Sequence, residues 1–443
     1  MKHHHLSLLL LAAAIVTSAA PARAQSRRYP PEPVDKDREK AEQSKLWDSA
    51  TNPQRTPYDK LIYAAEQGLR EATTAAVQEA VKKLDEAIAL MPDEPKAYRL
   101  RGDATMVLKD WARCAADLQG AWTRVTASAG SGAARSPRAV RDTLDAKQLA
   151  ELRRKLGLCQ ARAGKLADAE RTLAEAAVTG NATGEIWMRL GEVRIAMGKL
   201  EEAIAALESA AEQGDAAPAT IRWLLAGAYD RARKPAESID QARKAILLDR
   251  NFSTLRNEQL PLLGAGEPEY LQGLAYAAFE QPRPDYSLIY FRYFLKVAKD
   301  SPWRKRAEEH LRELKGAELP EAIEKRGGNA PVDATAALGP VRRAMGAMRA
   351  CAARTPFIIY EVTITKAGPR TPPATTRDRP RYFAPPETVT VTPVVGLPST
   401  GDVPQAERDT VVRCIEPLAS KIPFAAIKDK DTYFRLSFNV IAP

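Results

Sequence analysis

The sequence predicts a mostly α-helical protein, a stack of helix–turn–helix units followed by a small α+β domain. Three observations predict it. A pattern of small residues and leucines returns every 34 positions between about residues 61 and 252. The chain favours helix as far as about residue 326, and 45% of its residues are hydrophobic, enough to bury a core. Beyond residue 335, Pro, Thr and Val become frequent, and two runs switch from helical spacing to strict alternation. A length of 443 residues suits two or three domains.

The first segment reads as an export signal. Lys2 opens a short n-region, Leu6 to Ala20 is an apolar run, and Ala22-Arg23-Ala24 supplies a cleavage site before Gln25. The run is short for a membrane span, which needs about 20 residues. Residues 1–24 are expected to be removed on export to the periplasm or cell envelope, with an uncleaved signal anchor as the alternative. No Cys follows the site, which argues against a lipid anchor. Removal lowers the net charge from +10 to +8 and leaves His310 as the single histidine. Residues 25–60, with "PPEPVDKDREKAEQSK", read as a charged linker or entry helix.

The repeat unit comes next. Gly68, Gly102, Gly157, Gly191 and Ala226 fall in register, at spacings of 34, 55, 34 and 35. The spacing of 55 is one period plus 21 residues, and "TASAGSGAARSPRAVRDTLDA", near 127–147, is the loop that carries them. A second small-residue site runs through Ala80, Cys114, Ala169, Ala203 and Ser238. Leu84, Leu118, Leu173, Leu207 and Ala242 follow it by four residues, and Ala87, Ala121, Ala176, Ala210 and Ala245 by seven. Small residues let two helices cross closely. The leucines form a stripe that one hairpin cannot bury alone, so hairpins must stack.

This pattern resembles the tetratricopeptide repeat, most clearly over 95–126, 150–183 and 184–217. The resemblance implies a right-handed superhelix of about five to six units over 61–316. A degenerate hairpin would start at "YLQGLAYAAFE", and "SPWRKRAEEHLREL" would cap the stack with a polar face. It further implies a concave groove for a protein or peptide partner, lined by the first helix of each unit. The implied groove positions are Lys96, Arg99, Asp103, Met106, Arg154, Leu158, Arg162, Met188, Glu192, Ile195, Trp223 and Arg231, with Glu151 beside them. The Lys/Asn set with which chaperone-tail-binding members clamp a carboxylate is missing. For any single position the competing reading is an ordinary solvated face.

After a linker at 317–335, residues 336–443 read as helix, strand, strand, helix, strand. The helices are "PVRRAMGAMRACAAR" and "PQAERDTVVRCIEPLASKI", and the strands are "FIIYEVTIT", "TVTVTPVV" and "TYFRLSFNVIAP". In the last, Phe434, Leu436, Phe438 and Val440 share one side. The order αββαβ, with Cys351 in the first helix and "VVRCIEPLASKIPF" around Cys414, resembles the TonB-type C-terminal domain of gliding-motility-related envelope proteins. It differs in a long Pro-rich insertion, "AGPRTPPATTRDRPRYFAPPE", and in the order Pro423-Phe424. On this domain reading Cys351 and Cys414 lie on two helices of one domain, as a bridge or as facing buried thiols. Cys114 and Cys159 lie on neighbouring repeat helices, with a bridge as the second candidate.

Several function classes are disfavoured. The four cysteines form no C-x-x-C, so a zinc ribbon is excluded, and no metal or cofactor is expected. "GSGAARS" lacks the ending of a phosphate loop. His310, in "WRKRAEEHLREL", reads as a solvated surface histidine rather than a general base. Lys and Arg are interleaved with Asp and Glu, which argues against nucleic acid as a partner; Arg135, Arg138 and Arg141 are the densest basic spot. The reading is an exported, non-enzymatic scaffold that binds protein or peptide in the repeat groove and makes a second envelope contact through its C-terminal domain. A structural spacer or surface protein is the alternative, and an enzyme with its site in the C-terminal domain the more distant one.

Overall fold

The computed structural model describes residues 53–130, 144–256, 264–315, 321–326, 334–367, 387–394, 403–424 and 433–443. The export signal, residues 25–52 of the expected linker, Arg135, Arg138 and Arg141, and most of the Pro-rich insertion lie outside the described residues. The chain divides after Pro57, and the architecture below is that of the unit Tyr58–Pro443.

Helices pair in chain order. The hairpins are α1 (Arg55–Glu71) with α2 (Thr74–Leu90), α3 (Pro95–Val107) with α4 (Trp111–Gly130), and α5 (Ala146–Arg162) with α6 (Leu166–Ala177). They continue with α7 (Gly184–Ala196) and α8 (Leu200–Gln213), then α9 (Pro218–Arg231) and α10 (Pro235–Leu248). After the short α11 (Ser253–Arg256) come α12 (Glu267–Ala278) with α13 (Pro284–Val297), and then α14 (Arg304–Lys315). The helix starts carry their own signals. Thr73 and Thr183 hydroxyls accept from the Ala76 and Ile186 amides, and Asp145 with Gln148 forms a reciprocal capping box. Proline occupies the first turn of α3, α9, α10, α12 and α13, where no amide donor is needed.

The period has one geometric cause. A Cβ on Gly102, Gly157 or Gly191 would stand 2.4 Å from Leu118, 2.5 Å from Leu173 and 2.6 Å from Leu207, respectively. No side chain fits there, so each leucine sits on the bare backbone of the helix before it, fully buried. Seven residues beyond Gly102, Gly157, Gly191 and Ala226, the turn takes one left-handed residue. Gly164 and Gly198 supply it freely, while Lys109 and Arg233 adopt the same positive φ despite their side chains.

Both cysteine pairs are bridged. Cys114–Cys159 ties α4 to α5, with Cα atoms 5.8 Å apart, and both residues are fully buried. Cys351–Cys414 ties α15 (Ala334–Ala352) to α16 (Gln405–Ser420), with Cα atoms 5.9 Å apart.

The C-terminal sheet has four antiparallel strands where three were expected. The order is β1 (Glu321–Arg326), β4 (Tyr433–Val440), β2 (Tyr360–Ala367), β3 (Thr388–Pro393). The extra strand, β1, lies inside the segment expected as a linker and pairs with β4 from Glu321↔Phe438 to Arg326↔Tyr433. Ladder bonds are made by the backbone, so "EAIEKR", with a single strong β-former in Ile323, carries almost no side-chain signal of its pairing. One face of the sheet buries Tyr360, Val362, Ile364, Leu436, Phe438 and Val440 against Val341, Met348, Val411 and Ile415 of α15 and α16. The Phe434 side chain, expected on that face, lies outside the described ones.

The domain does not stand apart from the stack. Ile359 and Ile441 pack with Leu288, Ile289 and Tyr290 of α13. Asp285, fully buried, accepts from the Asn439 side chain, and Arg292 donates to the Ala442 and Pro443 carbonyls at 3.0 and 2.8 Å. The last helical hairpin thus has the sheet, not solvent, on one side.

Two outcomes follow from the packing. Gly157→Val and Gly191→Val force a clash with a buried leucine and are expected to lose about 1–3 kcal/mol or more in urea denaturation. Reduction of the bridges releases unfolded-state constraint worth roughly 2–4 kcal/mol each, read as a lower melting temperature in dithiothreitol that Cys114→Ser and Cys351→Ser reproduce separately.

Candidate functional site

The first helices of the hairpins, α3, α5, α7 and α9, carry the groove positions at helical spacing, and the structure links them by ion pairs. Lys96 on α3 reaches Glu66 on α1 at 2.8 Å. Lys155 on α5 reaches back to Asp103 on α3 at 2.7 Å. Arg154 holds Glu151 at 2.7 Å and Glu185 on α7 at 3.6 Å, and Arg189 joins Glu185 and Glu192 at 2.9 and 2.6 Å. Arg231 on α9 pairs with Glu267 at the start of α12, both buried. Much of the groove's charge is spent on joining one repeat to the next.

The pairs end in a buried cluster. Asp230 on α9 accepts from Arg306 Nη2 at 2.7 Å, from the Tyr270 hydroxyl, and stands 3.0 Å from His310 Nε2. Burial alone would raise the Asp230 carboxyl. The hydrogen bond and charge of His310, then the bonds from Arg306 and Tyr270, outweigh it and hold the group well below the usual carboxylate range. His310 is not the solvated histidine expected from sequence. Its side chain is 13% exposed, its ring stacks on Phe291 at 4.5 Å, and Nδ1 faces Glu313 at 3.2 Å. The cause is the fold of α14. Trp303, Ala307, Leu311 and Leu314 form its apolar stripe against the stack, and Arg306, His310 and Glu313 form the next stripe, turned toward Asp230.

This folding decides what remains of the predicted groove. Met188, Ile195 and Trp223 are buried in the core, and Trp223 donates its indole N–H to Asp249 at 3.1 Å. Glu192 and Arg231 are buried as well, where a solvated groove face was expected. Met106 packs half-buried on the cluster around Cys114, Leu158 is half-buried, and the Arg162 guanidinium lies over Trp111 at 4.8 Å. Arg99 lines a hollow of about 210 Å³ with Lys147, Glu151 and Lys155. A larger cavity, about 450 Å³, brings Glu192, Ile195 and Arg231 together with Glu267, Val297 and Trp303. The last three belong to helices and a loop after the clear repeats, so no register position points to them; the only trace in the sequence is Trp303 at the start of the capping helix. Among the described residues, no group of three or more His, Cys, Asp or Glu is placed to hold a metal ion.

No protein-family model matches this chain, and no curated protein matches it. Among solved structures, it is similar to a chain of the Cut9–Hcn1 hetero-tetramer of the APC/C, at 13% identity and TM-score 0.37, over 59% of this chain and 46% of that one. The chain therefore spans less than half the length of that protein. It is also similar to PilF of Pseudomonas aeruginosa, at 14% identity and TM-score 0.37, over 59% and 99% of the two chains. YrrB, described as a TPR protein with an unusual peptide-binding site, aligns at 16% identity and TM-score 0.35, over 48% and 95%.

Asp230→Asn removes the charge from a site 2% exposed and leaves Arg306 facing an amide, an expected loss of about 3–5 kcal/mol in denaturant unfolding. The wild-type contribution has the sign of a depressed carboxyl. It is complete above the ordinary aspartate pKa of 3.8 and drains as pH falls below it, so acid unfolding of the wild type should be steeper than that of the variant.

Proposed function

We propose that the protein is an exported, non-enzymatic scaffold that binds a protein or peptide partner on the concave side of its repeat stack. The observation that carries this reading is the cavity of about 450 Å³, where residues of α7, α9 and α12 converge with Trp303. Its walls are mixed, with Ile195, Val297 and Trp303 beside paired charges, the composition of a recognition pocket rather than a catalytic one. Export is supported by the signal-like residues 1–24, and the two disulfides are compatible with an oxidising compartment. The C-terminal domain supplies a second contact, with a partner strand adding to β3. Among the described residues no strand pairs with the outer side of β3, and its Thr-Val alternation suits pairing. The TonB-type resemblance supports the same assignment. No helix among the described residues is long and apolar enough to cross a membrane.

A second reading, a structural spacer, is favoured by the inter-repeat ion pairs and the two bridges, which stiffen the stack whether or not it binds anything. Site-specific photo-crosslinking separates them. A crosslinker at Lys299, on the cavity rim, is expected to form a discrete adduct in the cell envelope, while one at Leu247, 70% exposed on α10, is expected to form none. Absence of any adduct at Lys299, or equal labelling of wall material at both positions, favours the spacer.

A further inference from the structure

One helix of the C-terminal domain carries positive charge with no acid of its own. From Ala334 to Arg354, over α15 and the two residues after it, there are four arginines and no aspartate or glutamate. The neighbouring α16 region is balanced, with Arg408, Arg413 and Lys421 against Glu407, Asp409 and Glu416. Among the described residues, Arg343, Arg349 and Arg354 have no acidic partner. On the repeat helices the comparable cations Lys96, Lys155 and Arg189 are all paired.

The packing of α15 decides where that charge points. Val341, Met345, Met348 and Ala352 are buried against the sheet and α16. At about 3.6 residues per turn, the opposite side of the helix holds Arg343, Gly346, Ala347 and Ala350, all exposed, and the exposed Arg354 continues it past the last turn. A Cβ on Gly346 would meet nothing within 4 Å, so this side is open. Arg349 lies half-buried at its border, toward Arg292 of α13. Burial, and then the charge of Arg349, hold the Arg292 guanidinium below the usual arginine value, so the border is positive as well.

That composition selects the partner. A protein partner docks around a desolvated core of aromatic or large aliphatic anchors, and this face has none. A fluid layer of phosphate headgroups asks only for positive charge held close to its surface. Glycine and alanine between the arginines let the helix lie near a plane, and without a large apolar side chain it does not sink into the acyl region.

We propose that the exposed face of α15 seats the C-terminal domain on a membrane surface rich in anionic phospholipid, as a peripheral contact reversed by salt. The proposal goes beyond the partner reading above and depends on neither the cavity nor the edge of β3.

The test floats the full mature chain, both bridges formed, with vesicles of phosphatidylcholine alone or mixed with phosphatidylglycerol, at low and at high salt. Arg343→Gln with Arg354→Gln removes two exposed charges, and Arg343→Lys with Arg354→Lys keeps them. Lys82→Gln with Lys83→Gln removes two charges from α2 instead, and every variant is checked for an unchanged melting temperature. The wild type is expected to bind only the vesicles with phosphatidylglycerol and to leave them at high salt. The glutamine pair on α15 should lower the partition coefficient roughly fivefold per arginine, while the lysine pair and the α2 variant stay within about twofold of wild type. Equal binding to both kinds of vesicle, binding to neither, or a glutamine pair on α15 that binds like wild type overturns the proposal. An equal loss in the α2 variant also overturns it, because net charge and not this face would then be responsible. Soluble polyglutamate bound through the same arginines, with no binding to vesicles, assigns the face to an acidic protein and overturns the lipid assignment.

Discussion

The close crossing of the two helices in the three clearest hairpins is the constraint on which the rest depends. Leu118, Leu173 and Leu207 press onto Gly102, Gly157 and Gly191, where a single methyl group would not fit. That approach sets the angle of each hairpin and leaves the next stripe of leucines and alanines to be covered by a neighbour. Stacking then follows, and with it the placement of every first helix along one side of the array. The left-handed turn residue completes the unit. At Lys109 and Arg233 a residue with a side chain takes the same left-handed conformation in place of glycine.

Once the first helices are aligned, their polar residues meet across repeats. Lys96, Asp103, Arg154 and Arg231, each a reasonable ligand contact when taken alone, find carboxylates or amines on neighbouring helices. Toward the end of the array this coupling becomes stronger, because α14 folds over α9 and removes Asp230, Arg306 and His310 from most of the solvent. Buried charge clusters of this kind contribute little net stability against an apolar alternative, yet they tolerate few other arrangements. The cluster joins α14 to α9, and the loop just before α14, from Lys299 to Trp303, builds one wall of the cavity. The sheet closes the other side of the last hairpin through Ile359, Ile441 and Asn439. The cavity depends on that end of the stack being held.

Legibility in the sequence was uneven, for physical reasons. The hairpins were readable because burial recurs at a fixed spacing, and Gly191, Ala203, Leu207 and Ala210 state their role by register alone. Arg231, Glu192 and Ile195 were readable as positions but not as an environment, since burial there depends on helices with no register to announce them. Trp223 was misplaced for the same reason, its face being covered from a direction the repeat does not encode. Strand β1 was invisible because its pairing is a backbone property. His310 was read as exposed because its helix is strongly charged, and nothing local says that the charge faces Asp230, 80 residues away.

By itself, then, the sequence determined the helical stack, its period, both cysteine pairings as candidates, and the alternating strands of the C-terminal region. All of these follow from short-range spacing, which survives without knowledge of distant neighbours. Tertiary structure decided which groove residues are spent on ion pairs, that the C-terminal sheet gains a fourth strand and packs on the last hairpin, and that Arg231 is held between Tyr270 and Trp303 beside a cavity. Those outcomes rest on contacts between segments far apart in the chain, whose partners no local pattern specifies.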